Sequence, residues 1–298
     1  MKSLLKSLYL KAFPALERLG VHVTPVHHTQ PIPDTARLNP KIWSRDSALI
    51  CVDMREEEQL RTLQHFYDSY RAEYHALPRT RPPGGLPQFY LDNPFFGPVD
   101  AEVLYCMIRY HKPRRVLEIG SGYSTMLAAQ ALLRNAADEG RVGLLDAYEP
   151  EPGEALKRGF AGLNALHVSR AEDIPLDRFE ALARNDILFI DSSHVVKTGG
   201  DVTYEILEVL PRLAPGVIVH VHDIFLPREY PKEWILQHRL FWTEQYLFHA
   251  FLTFNSAFSV LWGASFMHER HGDKLSAAFS SYNPATTRPG SFWIRRGE

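Results

Sequence analysis

The chain has 298 residues, enough for one or two domains and a large core. Apolar residues make up 45% and charged residues 23%, the proportions of an ordinary folded protein, which excludes wholesale disorder. Lys plus Arg total 33 and Asp plus Glu 35, and a net charge of −2 argues against a nucleic-acid partner, which a strongly basic surface would mark.

Cys51 and Cys106 supply neither a disulfide framework nor a cysteine-rich zinc site, which suits a reducing, cytoplasmic setting. No window of about 18 uninterrupted apolar residues exists, so no transmembrane segment is expected. Residues 1–20 read as an amphipathic helix and not as a signal peptide, because Lys6 and Lys11 break the apolar run and no small-residue cleavage site follows. Its apolar face (Leu4, Leu5, Leu8, Phe13, Leu16) docks on the body or a partner subunit, or makes peripheral contact with a membrane; docking is the plainer reading.

Pro25, Pro31, Pro33 and Pro40 make residues 21–50 a loop, within which His27 and His28 are expected to be exposed unless the loop folds over the site as a lid. A helix is predicted at about 55–76, where Leu60, Leu63, Phe66, Tyr67, Tyr70 and Tyr74 share one face, either core or the surface of a homodimer. Residues 78–98 are again proline-rich loop. Asp100 reads as the N-cap of a helix carrying Val103, Leu104, Met107 and Ile108. From there apolar strands alternate with helical stretches: 114–119, 142–149, 165–168, 186–191 and 216–223, then 258–262 and 291–296 after a long helical region at about 231–250. The expected fold is α/β: a doubly wound, mostly parallel seven-stranded sheet over residues 99–298, preceded by a helical and loop extension over 1–98. Ligands of such sheets bind at the carboxyl ends of the strands.

The first strand ends in Glu118-Ile119-Gly120-Ser121-Gly122-Tyr123-Ser124-Thr125. Glycines there permit a tight turn and close approach of a ligand to the backbone, and equally serve turn geometry alone. A dinucleotide fingerprint needs Gly or Ala where Thr125 stands, and Glu118 would repel a pyrophosphate, so a cationic ligand suits the turn better. No Gly-Lys-Ser/Thr follows, which excludes a P-loop.

The stretch VLEIGSGYSTMLAA (116–129) resembles the first motif of class I S-adenosylmethionine-dependent methyltransferases. Its E-I-G-S-G-Y-S-T form is similar to small-molecule O-methyltransferases of the caffeoyl-CoA, catechol and macrocin kinds, with Ser124 where a third glycine is usual. The segments NPFFGPVD, IDSSH, HVHDIF and FWTEQY resemble an uncharacterised bacterial branch of these enzymes. The resemblance implies a Rossmann-like methyltransferase fold and S-adenosylmethionine as cofactor. Gly120 and Gly122, with Ser121 and Ser124 beside them, would line its methionine part, and Glu118 would orient its ammonium group through water. Glu149 would accept the ribose hydroxyls, Glu172 would meet the adenine unless it only caps a helix, and Asp191 would stand near the sulfur.

Asp191-Ser192-Ser193-His194 follows the fourth strand and His220-Val221-His222-Asp223 closes the fifth. Catechol-type enzymes carry an Asp at the first place, an Asp-Asn pair at the second and a base three residues after the first Asp. The resemblance therefore implies a metal held by Asp191, His222 and Asp223, with His194 as base. Histidine near its free pKa suits that role. His222 in place of an acid tilts the site from Mg²⁺ toward Mn²⁺, Fe²⁺, Zn²⁺ or no metal, in which case Asp191 and His222 bond each other or the substrate. His220 reads as a core residue. Tyr230, Trp234, Trp242 and Tyr246 line a substrate pocket or pack the core, and Glu244 and Gln245 among them are pocket groups or exposed helix positions.

The expected function is methyl transfer from S-adenosylmethionine to a small-molecule acceptor, at oxygen, with His194 and Asp191 catalytic. The rival readings are a metal-dependent hydrolase or oxygenase using the Asp/His cluster, a non-catalytic S-adenosylmethionine-binding protein, and a nicotinamide oxidoreductase, against which Glu118 and Thr125 speak.

Overall fold

Apolar runs rich in branched side chains build the strands: β1 (Arg115–Ile119), β2 (Leu144–Tyr148), β3 (Ala165–His167), β4 (Ile187–Ile190), β5 (Ile218–Val221), β6 (Phe258–Gly263) and β7 (Phe292–Arg296). A computed structural model describes Tyr9 and residues 12–83, 88–140 and 143–297. Among the described residues the sheet order is β3-β2-β1-β4-β5-β7-β6. Strands β1 to β5 are parallel, and β7 runs antiparallel to β5 and β6. The order reverses between β1 and β4, so right-handed crossovers carry the connecting segments to opposite faces and open a crevice at that junction. This is the doubly wound, mostly parallel sheet expected, and every residue of β4 and β5 is buried in it.

The longer helices are α1 (Glu56–Tyr74), α2 (Asp100–His111), α3 (Tyr123–Glu139), α4 (Asp201–Tyr204, continued as a wider π turn over Glu205–Val209), α5 (Glu244–Leu252) and α6 (Ala264–Ala278). The aromatic face of α1 is core: Leu63, Phe66 and Tyr74 are buried, and the Tyr74 hydroxyl donates to the carbonyl of Ala278 (3.0 Å). Arg109 ties three helices together. Its guanidinium donates to Glu73 on α1 (2.8 Å), to Asp138 on α3 (2.5 Å) and to Asn135. At the opposite end of the sheet from the glycine turn, Asp186 accepts the backbone N–H groups of Arg114 (3.0 Å), Arg115 (2.9 Å) and Ala183 (2.9 Å), joining the starts of β1 and β4.

The described residues up to Ser44, with Pro231–Phe241, form one compact unit, and Arg45–Tyr230 with Trp242–Glu298 form the other. These units divide elsewhere than at residue 98, because Phe66, Tyr74, Phe89 and Phe96 are buried in the same core as the sheet. In the smaller unit residues 12–18 are helical, Asn39 caps a 3-10 turn at Pro40–Trp43, and the Arg239 guanidinium donates to Thr35 Oγ1 (3.0 Å). Much of the amphipathic segment read at 1–20, namely residues 1–8, 10 and 11, lies outside the described residues. No described helix is long and apolar enough to cross a membrane.

Two expectations change. Asp100 is the first residue of α2 and not its cap: its carboxylate accepts the backbone N–H groups of Gly290 and Ser291 (2.9 Å each) just before β7. The helical region at 231–250 is broken into Lys232–Leu236 and α5, with Arg239 left-handed between them (φ 60°). Helix α5 starts where it does because the N–H groups of Thr243 and Glu244 both donate to the carbonyl of His194 (2.9 and 3.1 Å).

Candidate active site

Strand register brings the site together. Ile119 pairs with Ile190, and Ile190 with Val221, so Gly120, Asp191 and His222 stand side by side one step beyond the sheet. The Asp191 N–H donates to the carbonyl of Ile119, and the His222 N–H to that of Ile190 (2.9 Å each). Gly120 is left-handed (φ +77°), and a Cβ on it would lie 1.7 Å from the carbonyl oxygen of Asp191. Only glycine fits where the two strand ends touch.

Two cavities flank this point. One, of about 430 Å³, is lined by Tyr90, Phe95, Phe96, Tyr123, Met126 and Leu156, with Ser121, Gly122 and Ser124 at its base and Arg81 and Gln88 on its wall. The other, of about 500 Å³, runs past the ends of β1 to β4 and is lined by residues including Ala171, Glu172, Ser192 and Ser193. Gly120, Glu149 and Asp191 line both.

Glu118 lies beneath the glycine turn. The Ser124 hydroxyl donates to its Oε1 (2.6 Å), while its Oε2 is buried without a hydrogen-bond partner. Burial raises its pKa to about 8, against the lowering effect of the Ser124 and Thr125 hydrogen bonds. A buried carboxylate oxygen with no donor is costly alone and well placed to meet a cation. Glu149 accepts the N–H groups of Ser121 (3.1 Å) and Glu151 (2.9 Å), which fixes it at the end of β2. Glu172 is in a 3-10 turn after β3, 3.7 Å from Arg170. Of the residues singled out for the cofactor, Gly120, Ser121, Gly122, Ser124, Glu149, Glu172 and Asp191 line the two cavities, and Glu118 lies buried against Ser124.

The acid and histidine residues after β4 and β5 converge beside Asp191. His194 Nε2 is 3.2 Å from Asp191 Oδ1 and 3.6 Å from Asp223 Oδ2. His222 Nδ1 is 3.4 Å from Asp191 Oδ1 and 3.5 Å from Asp223 Oδ2. Donor atoms of Asp191, His194 and Asp223 all lie within 4.8 Å of one another. His194 (φ 59°) and Asp223 (φ 56°) both hold left-handed backbone, a cost of about 1–3 kcal/mol each that is typical of residues aimed at a site.

The surroundings of His194 move it from its free value. Burial alone would push its pKa down, but hydrogen bonds to Asp191 and Glu244, with Asp223 nearby, hold it well above the free value. Asp223, Asp191 and Asp100 raise His222 in the same way against its own burial. Asp191 is lowered by these two rings despite its burial. His220, by contrast, is a core residue: it stacks on Phe189 (3.9 Å), meets Ser291 Oγ (2.9 Å) and is kept neutral by burial.

Some site residues were not legible in the sequence. Glu244, left between pocket and surface, is buried and 2.8 Å from His194 Nδ1. Asp100, assigned to a helix cap, lies 3.6 Å from His222 Nε2. Trp242 packs on His194 (4.3 Å). The Ser192 hydroxyl donates to Glu205 (2.9 Å), a carboxyl pushed up by burial on the π turn of α4. An acid amid aromatics, as in FWTEQY, was the only signal for Glu244; Asp100 had none.

Residues 117–224 match the model of a protein family described as "Methyltransferase domain". An uncharacterized protein of Archaeoglobus fulgidus is 30% identical over 191 residues, covering 61% of this chain and 84% of that protein. Over residues 117–224 the chain thus carries a methyltransferase domain. Similar solved structures are those of the methyltransferase PaMTH1 of Podospora anserina bound to S-adenosylhomocysteine and of CmcI-N160 in its apo form. The first has a TM-score of 0.38 and 15% identity, covering 80% of this chain and 88% of that one. The second has a TM-score of 0.38 and 14% identity, covering 68% and 72%.

Proposed function

We propose that this methyltransferase transfers the methyl group of S-adenosylmethionine to an oxygen of a small molecule. The observation that carries the reading is the shared wall of the two cavities. A ligand lying across Gly120, Glu149 and Asp191 would extend its adenosyl part toward Ala171 and Glu172 and its methionyl part toward Ser121–Ser124. Its sulfur then stands at Asp191, beside the acid and histidine cluster.

In the step itself the acceptor oxygen attacks the methyl carbon, the C–S bond breaks as the C–O bond forms, and neutral S-adenosylhomocysteine leaves. The protein aligns the two ligands and excludes water. Glu118, buried outside both cavity walls with one oxygen unpartnered, orients the ammonium group through water. The acceptor proton passes to the Asp191–His194 pair. The ring takes that proton in its neutral form, its own Nε2 proton passing to bulk water as the positive sulfonium arrives next to Asp191 and repels it.

The donor set of Asp191, His222 and Asp223 also fits a divalent ion: two carboxylate oxygens and an imidazole nitrogen face one another at 3.4 and 3.5 Å. Such an ion would lower the pKa of an acceptor hydroxyl.

The test is calorimetry with S-adenosylhomocysteine on metal-free protein, followed by radiolabelled methyl transfer to a panel of hydroxylated small molecules. Binding and label transfer to oxygen are expected. His194→Ala should lose about 10²–10⁴-fold in turnover with cofactor affinity kept. Folded protein that binds no S-adenosylhomocysteine would overturn the reading. Binding with no transfer to any acceptor would favour the non-catalytic alternative.

A further inference from the structure

The loop before α2 is bonded to itself where it forms the wall of the 430 Å³ cavity. The N–H of Leu91 donates to the carbonyl of Pro78, and that of Asp92 to the carbonyl of Arg79 (2.8 Å each). The Asn93 side chain accepts the N–H groups of Phe95 (3.0 Å) and Phe96 (2.7 Å) and donates to the carbonyls of Tyr90 (2.8 Å) and Phe96 (2.7 Å). Tyr90, Phe95 and Phe96 are thereby fixed on the wall.

The two arginines of this loop are used differently. Arg79 is committed to Asp92 (3.1 Å). Arg81 makes no ion pair among the described residues and is the one cation among the described residues that line the cavity. The hydroxyls of Tyr90 and Tyr123 lie 3.2 Å apart. Two phenols bonded to each other use one of their two protons, so the second is left to donate into the cavity that both rings line. The hydrogen bond from Tyr90 holds the Tyr123 phenol above its ordinary range, and the Arg81 charge acts on it in the opposite sense, so the guanidinium stands close to the pair. Gln88 adds an amide to the same lining. Guanidinium, phenol and amide make this part of the cavity rich in donors, whereas Glu149 and Asp191 at the strand ends are acids. An anionic group is repelled from the strand ends and drawn to the loop.

We propose that the methyl acceptor carries a carboxylate or a phosphate, bound by Arg81 with the Tyr90–Tyr123 pair and Gln88, while its reacting hydroxyl stands at Asp191. This assignment rests on the methyl-transfer reading given above. A guanidinium holds either oxyanion through two parallel N–H···O bonds, which orients the molecule as well as binding it. The cofactor's own carboxylate is the other oxyanion that reaches this cavity, and cofactor affinity separates the two.

The experiment compares matched acceptors with and without the anionic group: protocatechuate against catechol, glycerate against glycerol, and glycerol phosphate against glycerol. Labelled methyl transfer from S-adenosylmethionine and calorimetric binding to the S-adenosylhomocysteine complex are both read. The anionic member of at least one pair should be preferred by about 10–100-fold, through KM. Arg81→Ala should abolish that preference, and Arg81→Lys, which keeps the charge and loses the fork, should restore part of it. The proposal is overturned if neutral members bind and react as well as anionic ones, if no anionic member is bound, or if Arg81→Ala keeps the preference. It is also overturned if Arg81→Ala weakens S-adenosylhomocysteine instead, which would give Arg81 to the cofactor's carboxylate. Failure of the methyl-transfer reading has a different signature, folded protein that binds no S-adenosylhomocysteine at all.

Discussion

Glu118 makes the site readable through its pH dependence. Its pKa of about 8 keeps it protonated at neutral pH in the ligand-free protein. A cationic ammonium is best held by the ionised form, so capture of the cofactor releases a proton. Affinity for S-adenosylhomocysteine should rise between pH 6.5 and 8, by at most about tenfold per unit, and then level off. Glu118→Gln should weaken binding and flatten that profile; a profile unchanged by the substitution would remove Glu118 from the ammonium site. Gly120→Ala is the sharpest single change. The new Cβ would overlap the Asp191 carbonyl at 1.7 Å on a left-handed backbone, so the strand ends must separate. Loss of cofactor binding with a lowered Tm is expected, and an Ala variant that binds normally would show the contact to be unnecessary.

At the scale of elements, the two ends of the sheet carry different burdens. Asp186 holds three backbone N–H groups at the end away from the site. Asp186→Ala leaves those donors without their acceptor and should cost about 3 kcal/mol of stability, read by denaturant unfolding. S-adenosylhomocysteine affinity of the folded fraction should not change. A fall in affinity at unchanged stability would show that the brace acts on the site and not on the fold. The strands were legible because apolar runs such as ILFI have one plausible use, a parallel sheet covered on both faces. The turn residues were legible because Gly120 must be glycine. The break within 231–250 was not, since the apolar spacing continues through it and the interruption answers to the carbonyl of His194, about 50 positions away in the chain. Asp100 misled for a related reason. An acid at the start of a helix is a common cap, and its real partners, Gly290 and Ser291, are separated from it by 190 and 191 positions.

For the whole molecule, ligand binding and stability are linked. A ligand at 100 times its Kd adds about 2.7 kcal/mol to a fold that binds it only when native. S-adenosylhomocysteine should therefore raise Tm by several degrees, whereas NAD should not. A rise with NAD and none with S-adenosylhomocysteine would restore the nicotinamide reading that Glu118 and Thr125 argue against.

The contact between Gly120 and Asp191 reaches further than either residue. The turn that faces the methionyl side and the acid that faces the cluster meet with no room for a side chain between them. On the function proposed above, the residues that would hold the methyl donor and those that would receive the acceptor are then parts of a single rigid piece, which drift could not re-space without losing both. Divergence toward new acceptors has to occur in the surrounding loops, such as the one that carries Arg81, Gln88, Tyr90 and Phe95 to the cavity wall. Grafting that loop from a relative should change which molecule is methylated and leave the geometry of transfer alone.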